Sequence, residues 1–173
     1  MKKKIVVING SGGVGKDTFI QCCKKIEPVQ NISSVDKVKE AARILVGWKN
    51  EKDEKARKLL ADLKKLATEY NDAPYRYIKD SIKHFLQSDE NTILFLHVRE
   101  IEQIKRLQKE FDIITLLVKN IRIKEITSNT SDANVSQYNY NYIIENNGTI
   151  EELQQKASHF ISSIFNEKLS KVN

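Results

Sequence analysis

Gly10, Gly15 and Lys16, within "NGSGGVGKDT", have the spacing glycine, four residues, glycine, lysine. The backbone amides of such a loop converge on one point, and the helix that follows adds partial positive charge there. Lys16 would place a further charge on the outer phosphates of a nucleoside triphosphate, and the glycines at 10, 12, 13 and 15 permit a close backbone approach. The expected ligand set is therefore Gly10, Ser11, Gly12, Gly13, Val14, Gly15, Lys16, Asp17 and Thr18. A glycine turn that merely joins a strand to a helix is the plainer alternative. The strand, the spacing, the lysine and the helix all following in order argue against it.

One position departs from the pattern. The residue after the lysine is usually Ser or Thr, whose hydroxyl ligates Mg²⁺, and here it is Asp17, with Thr18 one place later. A bare carboxylate beside phosphates repels them, so Asp17 is expected either to ligate a cation that accompanies them or to hold a metal-bound water. Thr18 stays free for an inner phosphate. The structural alternative for Asp17 is a first-turn residue favoured by the helix dipole.

The elements that must position these residues can be read from periodicity. Lys4 to Asn9 is rich in Ile and Val with little alternation, as in a strand buried on both faces. Thr18 to Ile26 continues as a helix that Pro28 closes. A short strand is expected at Asn31 to Val35, with Asp36 capping a helix from Lys37 to Val46 that Gly47 ends. Ala56, Leu59, Leu60, Leu63, Leu66, Ala67 and Tyr70 recur at helical steps, so a long helix runs from Asp53 to about Tyr70. Asn71 to Pro74 breaks it, and Tyr75 to Leu86 forms another. Strands at Asn91 to Val98, Asp112 to Val118 and Tyr142 to Ile144, with helices at Glu100 to Glu110 and from Thr149, complete the chain. The alternation implies an open, mainly parallel, three-layer α/β sheet with its ligand site at the carboxyl ends of the strands.

Composition bounds the rest. A chain of 173 residues suits one domain, and 40% hydrophobic with 30% charged residues is the balance of a folded globular protein. No apolar run approaches a membrane span, and the three lysines at the start lead into a strand rather than a signal peptide's apolar region, so a cytoplasmic protein is expected. The net charge of +6 could serve nucleic acid but equally suits a small enzyme handling polyanionic phosphates, and the basic residues are scattered rather than gathered into one stripe, so nucleic acid is not the expected partner. Cys22 and Cys23 are adjacent and suit neither a metal site nor an ordinary disulfide; packing is their expected role. Oligomeric state is left open.

"GSGGVGKDT" resembles the loop of the P-loop small-molecule kinases in which Lys is followed by Asp, notably phage-type deoxynucleoside monophosphate kinases and animal-type phosphomevalonate kinases. Three further stretches agree. "SSVDKVKEAARILVGW" looks like the wall of their acceptor site, which implies acceptor contacts for Lys39, Asp36 and Arg43. "LFLHVREIEQIKRL" is similar to their strand-end "D-V-R" and helix, so Arg99 matches a phosphate-binding arginine. "YNYIIENNGTIEELQQKA" is similar to their last strand, turn and helix, also seen in dephospho-coenzyme A kinases, which implicates Asn147 and Gly148 beside an adenine. The resemblance implies a five-stranded nucleoside monophosphate kinase-like fold with helices on both faces, a helical acceptor-binding insertion at 36–90 and a short lid-like loop at 119–140. It also implies ATP and Mg²⁺, a (deoxy)nucleoside monophosphate-type acceptor, and transfer assisted by Lys16, Arg99 and Arg122, the last in the lid.

The chain departs from that family in two places. His97 stands where the related strand carries the Walker B Asp, and both a structural and a ligand-facing role are open to it. The lid segment offers only Lys119, Arg122 and Lys124 where relatives close several arginines over the transferred group. Trp48, Tyr70, Tyr75 and Tyr77 could stack an acceptor base or simply pack. A GTPase is excluded by the absence of "N-K-x-D" and "D-x-x-G", and a ParA-like ATPase by the absence of an early loop lysine. A nucleotide sensor without turnover remains an alternative, as does a kinase for another phosphorylated metabolite; a nucleic-acid end kinase would need a basic channel that the sequence does not show.

Overall fold

The computed structural model describes residues 2–123 and 138–166. Five strands, β1 (Lys4–Asn9), β2 (Val29–Ser33), β3 (Ile93–His97), β4 (Ile113–Lys119) and β5 (Tyr142–Glu145), form one sheet in the order β2-β3-β1-β4-β5. Every pairing is parallel. The helices among the described residues are α1 (Lys16–Lys24), α2 (Asp36–Val46), α3 (Glu54–Asn71), α4 (Ala73–Gln87), α5 (Ile101–Glu110) and α6 (Ile150–Asn166).

Strand periodicity splits the core in two. Val6, Ile8, Phe95, Leu116 and Val118 point to the face covered by α1 and α6, where Phe19 and Phe160 lie 5.7 Å apart edge to face. Ile5, Val7, Leu94 and Leu96 point to the other face and meet Ile78, Ile82 and Phe85 of α4 and Ile104 and Leu107 of α5. Both faces of the central strands are therefore dry, which is why their sequences read as unbroken apolar runs. Cys22 and Cys23 are free and buried on α1, as their expected packing role requires.

Some boundaries differ from expectation. Asp36 opens α2 as its first residue rather than capping it, and its carboxylate accepts from the Ser33 amide at 2.7 Å. α3 runs through to Asn71, and Asp72 alone separates it from α4, whose first turn holds Pro74. A proline at that position removes an amide that has no helical partner, so it starts a helix instead of breaking one. Asp72 takes φ 57°, and Arg106 of α5 donates to its carboxylate at 2.8 Å while stacking 3.7 Å from the Tyr75 ring. No described helix is long and apolar enough to cross a membrane.

Candidate functional site

β1, the middle strand, ends on Asn9, and Gly10–Gly15 carry the chain into α1. Gly10, Gly13 and Gly15 take φ values of 139°, 85° and 95°. A Cβ at Gly10 would lie 2.3 Å from the Val118 carbonyl oxygen, so that position demands glycine for space as well as for dihedral angle, whereas one at Gly15 would lie 2.3 Å from Asn146 Nδ2, a side-chain atom it would displace. Gly15 forms the left-handed entry to α1, and no side chain caps that helix. Its N-terminal amides and dipole thus face the loop, in the arrangement that receives an anion. Lys16 Nζ donates to the carbonyls of Gly10 at 2.6 Å and Ser11 at 2.9 Å, which draws the ammonium back over the loop.

His97 closes the neighbouring strand and is where the charged groups meet. Its Nε2 lies 4.0 Å from Asp17 Oδ1; the His97 side chain is 19% exposed and that of Asp17 90%. Burial pushes the imidazole down to about 4, with the Asp17 and Asp36 carboxylates opposing and the Lys16 and Arg99 charges reinforcing the drop. His97 is therefore neutral near pH 7. Its carbonyl accepts from the Ser34 amide at 3.2 Å, and with Asp36 holding Ser33, the end of β2 is fixed beside it.

The structure brings Lys16, Asp17, Asp36 and Arg99 around His97. Arg99 is exposed in the turn before α5, and the adjacent Glu100 pairs with Lys64 of α3, tying the long helix to that turn. Other residues sit apart from this group. Arg43 donates to Asn50 at 2.8 Å and stacks 5.3 Å over Trp48, further along α2 than the half-buried Lys39. Arg122 is exposed after β4, its amide held by Asn120 Oδ1 at 2.9 Å. Lys124 and the rest of the expected lid, 124–137, lie outside the described residues. Of the aromatic candidates, Tyr75 is core, Tyr70 is 85% exposed and Tyr77 packs beside the second core.

The turn after β5 contributes a residue that the sequence alone did not single out. Asn146 Nδ2 donates to the Val14 carbonyl at 2.9 Å, and its own amide bonds to Lys119 O at 2.7 Å. Asn147 accepts from the Ile121 amide at 2.9 Å, so it shapes the segment after β4, and Gly148 is exposed beside Glu152. The signal for Asn146 was only its place in "ENNG", one residue before the pair implied by resemblance.

No family model matches the chain, and no curated protein does. Solved structures do. The crystal structure of TT1252 from Thermus thermophilus superposes with a TM-score of 0.55 at 16% identity, covering 95% of this chain and 99% of that one. A sugar kinase from Janibacter gives 0.52 at 11% identity over 94% and 95% of the two chains. Dephospho-CoA kinase from Campylobacter jejuni gives 0.50 at 17% identity over 95% and 98%. The fold is that of the P-loop kinases. In this chain the turn between β1 and α1 runs from Gly10 to Gly15.

The donor set suits a cation carried in with phosphates. Among the described residues no cluster of three or more His, Cys, Asp or Glu could hold a metal by itself. Asp17 and His97 face each other next to Lys16, and a small divalent ion typically takes one or two protein ligands and completes its shell with phosphate oxygens and water.

Proposed function

We propose that the chain is an ATP-dependent phosphotransferase acting on a small phosphorylated acceptor, a (deoxy)nucleoside monophosphate before others. The observation that carries this reading is the glycine loop, with its three left-handed glycines and uncapped helix, followed directly by Lys16. Lys16 and the loop amides hold the donor's outer phosphates once the lysine exchanges its two carbonyl partners for them. Thr18, exposed on the first turn, reaches an inner phosphate. Asp17 holds the divalent cation, which when bound neutralises charge building on the transferring group. Asn147 and Gly148 border the adenine.

Arg99 receives the acceptor phosphate with Lys39, Asp36 and Arg43 on the acceptor wall, the last after moving from Asn50. Arg122 comes over the migrating group when the lid-like loop closes. Segment 36–90 is the acceptor-binding insertion of this reading and 119–140 its lid, of which 124–137 lie outside the described residues; closure of a lid would exclude water from the donor phosphates. Phosphoryl transfer asks mainly for such positioning and positive charge.

The test is incubation with ATP, a divalent cation and a panel of nucleoside and deoxynucleoside monophosphates, with Lys16→Ala as control. Phosphorylated product from at least one acceptor, lost in the control, is the expected result. No product above the control overturns the kinase. His97 in the place of a carboxylate favours one second reading, a nucleotide sensor without turnover. Tight nucleotide binding without product identifies it.

A further inference from the structure

The 4.0 Å between His97 Nε2 and Asp17 Oδ1 contains the most unusual chemistry of the site. A carboxylate at the end of β3 would add a second hard oxygen. Here it is an imidazole, its backbone held by pairing with β2 and by the Ser34 contact to its carbonyl, and it faces a carboxylate on a 90% exposed side chain. Bonds from a first-row divalent ion to an imidazole nitrogen or a carboxylate oxygen are about 2.1 Å, so two ligands on opposite sides of one ion stand about 4.2 Å apart. The observed gap accepts such an ion with little movement. Mixed nitrogen and oxygen donors suit first-row transition metals, whereas Mg²⁺ prefers oxygen throughout.

We propose that His97 Nε2 and the Asp17 carboxylate ligate the nucleotide's divalent cation together, so that the site takes Mn²⁺ or Co²⁺ in preference to Mg²⁺. This rests on the nucleotide-binding reading above and adds an inner-sphere nitrogen to it. The position of His97 then selects the metal rather than merely tolerating its lost carboxylate.

The probe is Mn²⁺ with ADP bound to the full chain, studied by electron spin echo envelope modulation. The protein is labelled with ¹⁵N only at its three histidines, which separates their signal from adenine nitrogen. The expected result is strong modulation at the ¹⁵N frequency, kept in His84→Gln and lost in His97→Gln. In His97→Asp the ratio of Mn²⁺ to Mg²⁺ affinity should fall about tenfold. Bound Mn²⁺ and ADP without histidine modulation in the unsubstituted protein overturns the inference and leaves nucleotide binding intact. An unchanged affinity ratio in a folded His97→Asp protein also overturns it. Failure of Mn²⁺ and ADP to bind at all overturns both, and calorimetry with metal-free ADP shows which step was lost.

Discussion

Asn146 Nδ2 reaches across 132 positions of sequence to donate to the Val14 carbonyl at 2.9 Å. One side chain thereby fastens the turn after β5 to the glycine loop between β1 and α1, and the same nitrogen fills the space that a Cβ on Gly15 would need.

Removing that fastening should loosen the loop without unfolding the protein. Asn146→Ala is expected to cost about 1 kcal/mol of stability, the net worth of a partly buried hydrogen bond, and to weaken ADP binding about tenfold. Gly15→Ala should be worse, because φ 95° is strained for alanine and the new methyl meets Asn146. Combining the two substitutions should recover part of the Gly15→Ala loss in calorimetric affinity. Strict additivity would show that Asn146 is not what Gly15 makes room for.

Asp17 carries 90% of its side-chain surface exposed, so its loss should leave stability nearly unchanged. Asp17→Ala is expected to weaken ATP binding in the presence of divalent cation by about 10-fold or more and to leave metal-free ATP, measured with chelator, close to the unsubstituted value. Equal losses in both titrations would remove Asp17 from the metal shell and leave it a first-turn residue of α1.

Burial pushes the Cys23 thiol up to about 12 from 9.0, with neighbouring Cys22 adding to the rise. A folded value above the unfolded one means that the thiol's share of stability is complete below pH 9 and drains as pH climbs from 9 toward 12. At pH 10 the loss is about 1 kcal/mol from this group alone. Denaturant midpoints taken between pH 8 and 10.5 should fall less steeply in Cys23→Ala than in the unsubstituted protein, although the variant starts lower for its missing sulfur. Parallel slopes would mean that Cys23 ionises freely in the folded state.

Asp72 must do two things in one position: adopt φ 57° between two helices and receive Arg106. Asp72→Ala loses both and should cost about 2 kcal/mol; Asp72→Gly keeps the left-handed backbone and should cost less, with Asp72→Asn least harmful. Thermal melts of the three variants order these contributions. Alanine tolerated as well as glycine would show that backbone strain at Asp72 is negligible.

The chain's linear pattern determined the parts of this protein that depend on neighbours in sequence. β1, β3 and β4 are legible because strands dry on both faces must be apolar without alternation, and the glycine loop because only glycine can hold its φ values at Gly10 and Gly15. Lys16 and Asp17 follow from their place on the loop. Helix ends are not legible where one residue has two local options: Asp36 suits a cap of α2 but bonds Ser33, and Pro74 suits a helix break but starts a helix.

Only the tertiary structure decided what faces what. Asn146 meets Val14, and Arg106 meets Asp72, through parallel strand order and helix packing that leave no periodic trace in the chain. His97 is the clearest case. Its type was plain in the sequence, but its neutrality and its 4.0 Å approach to Asp17 come from burial at the end of β3 beside the first turn of α1, two elements that strand pairing brings together across some eighty residues.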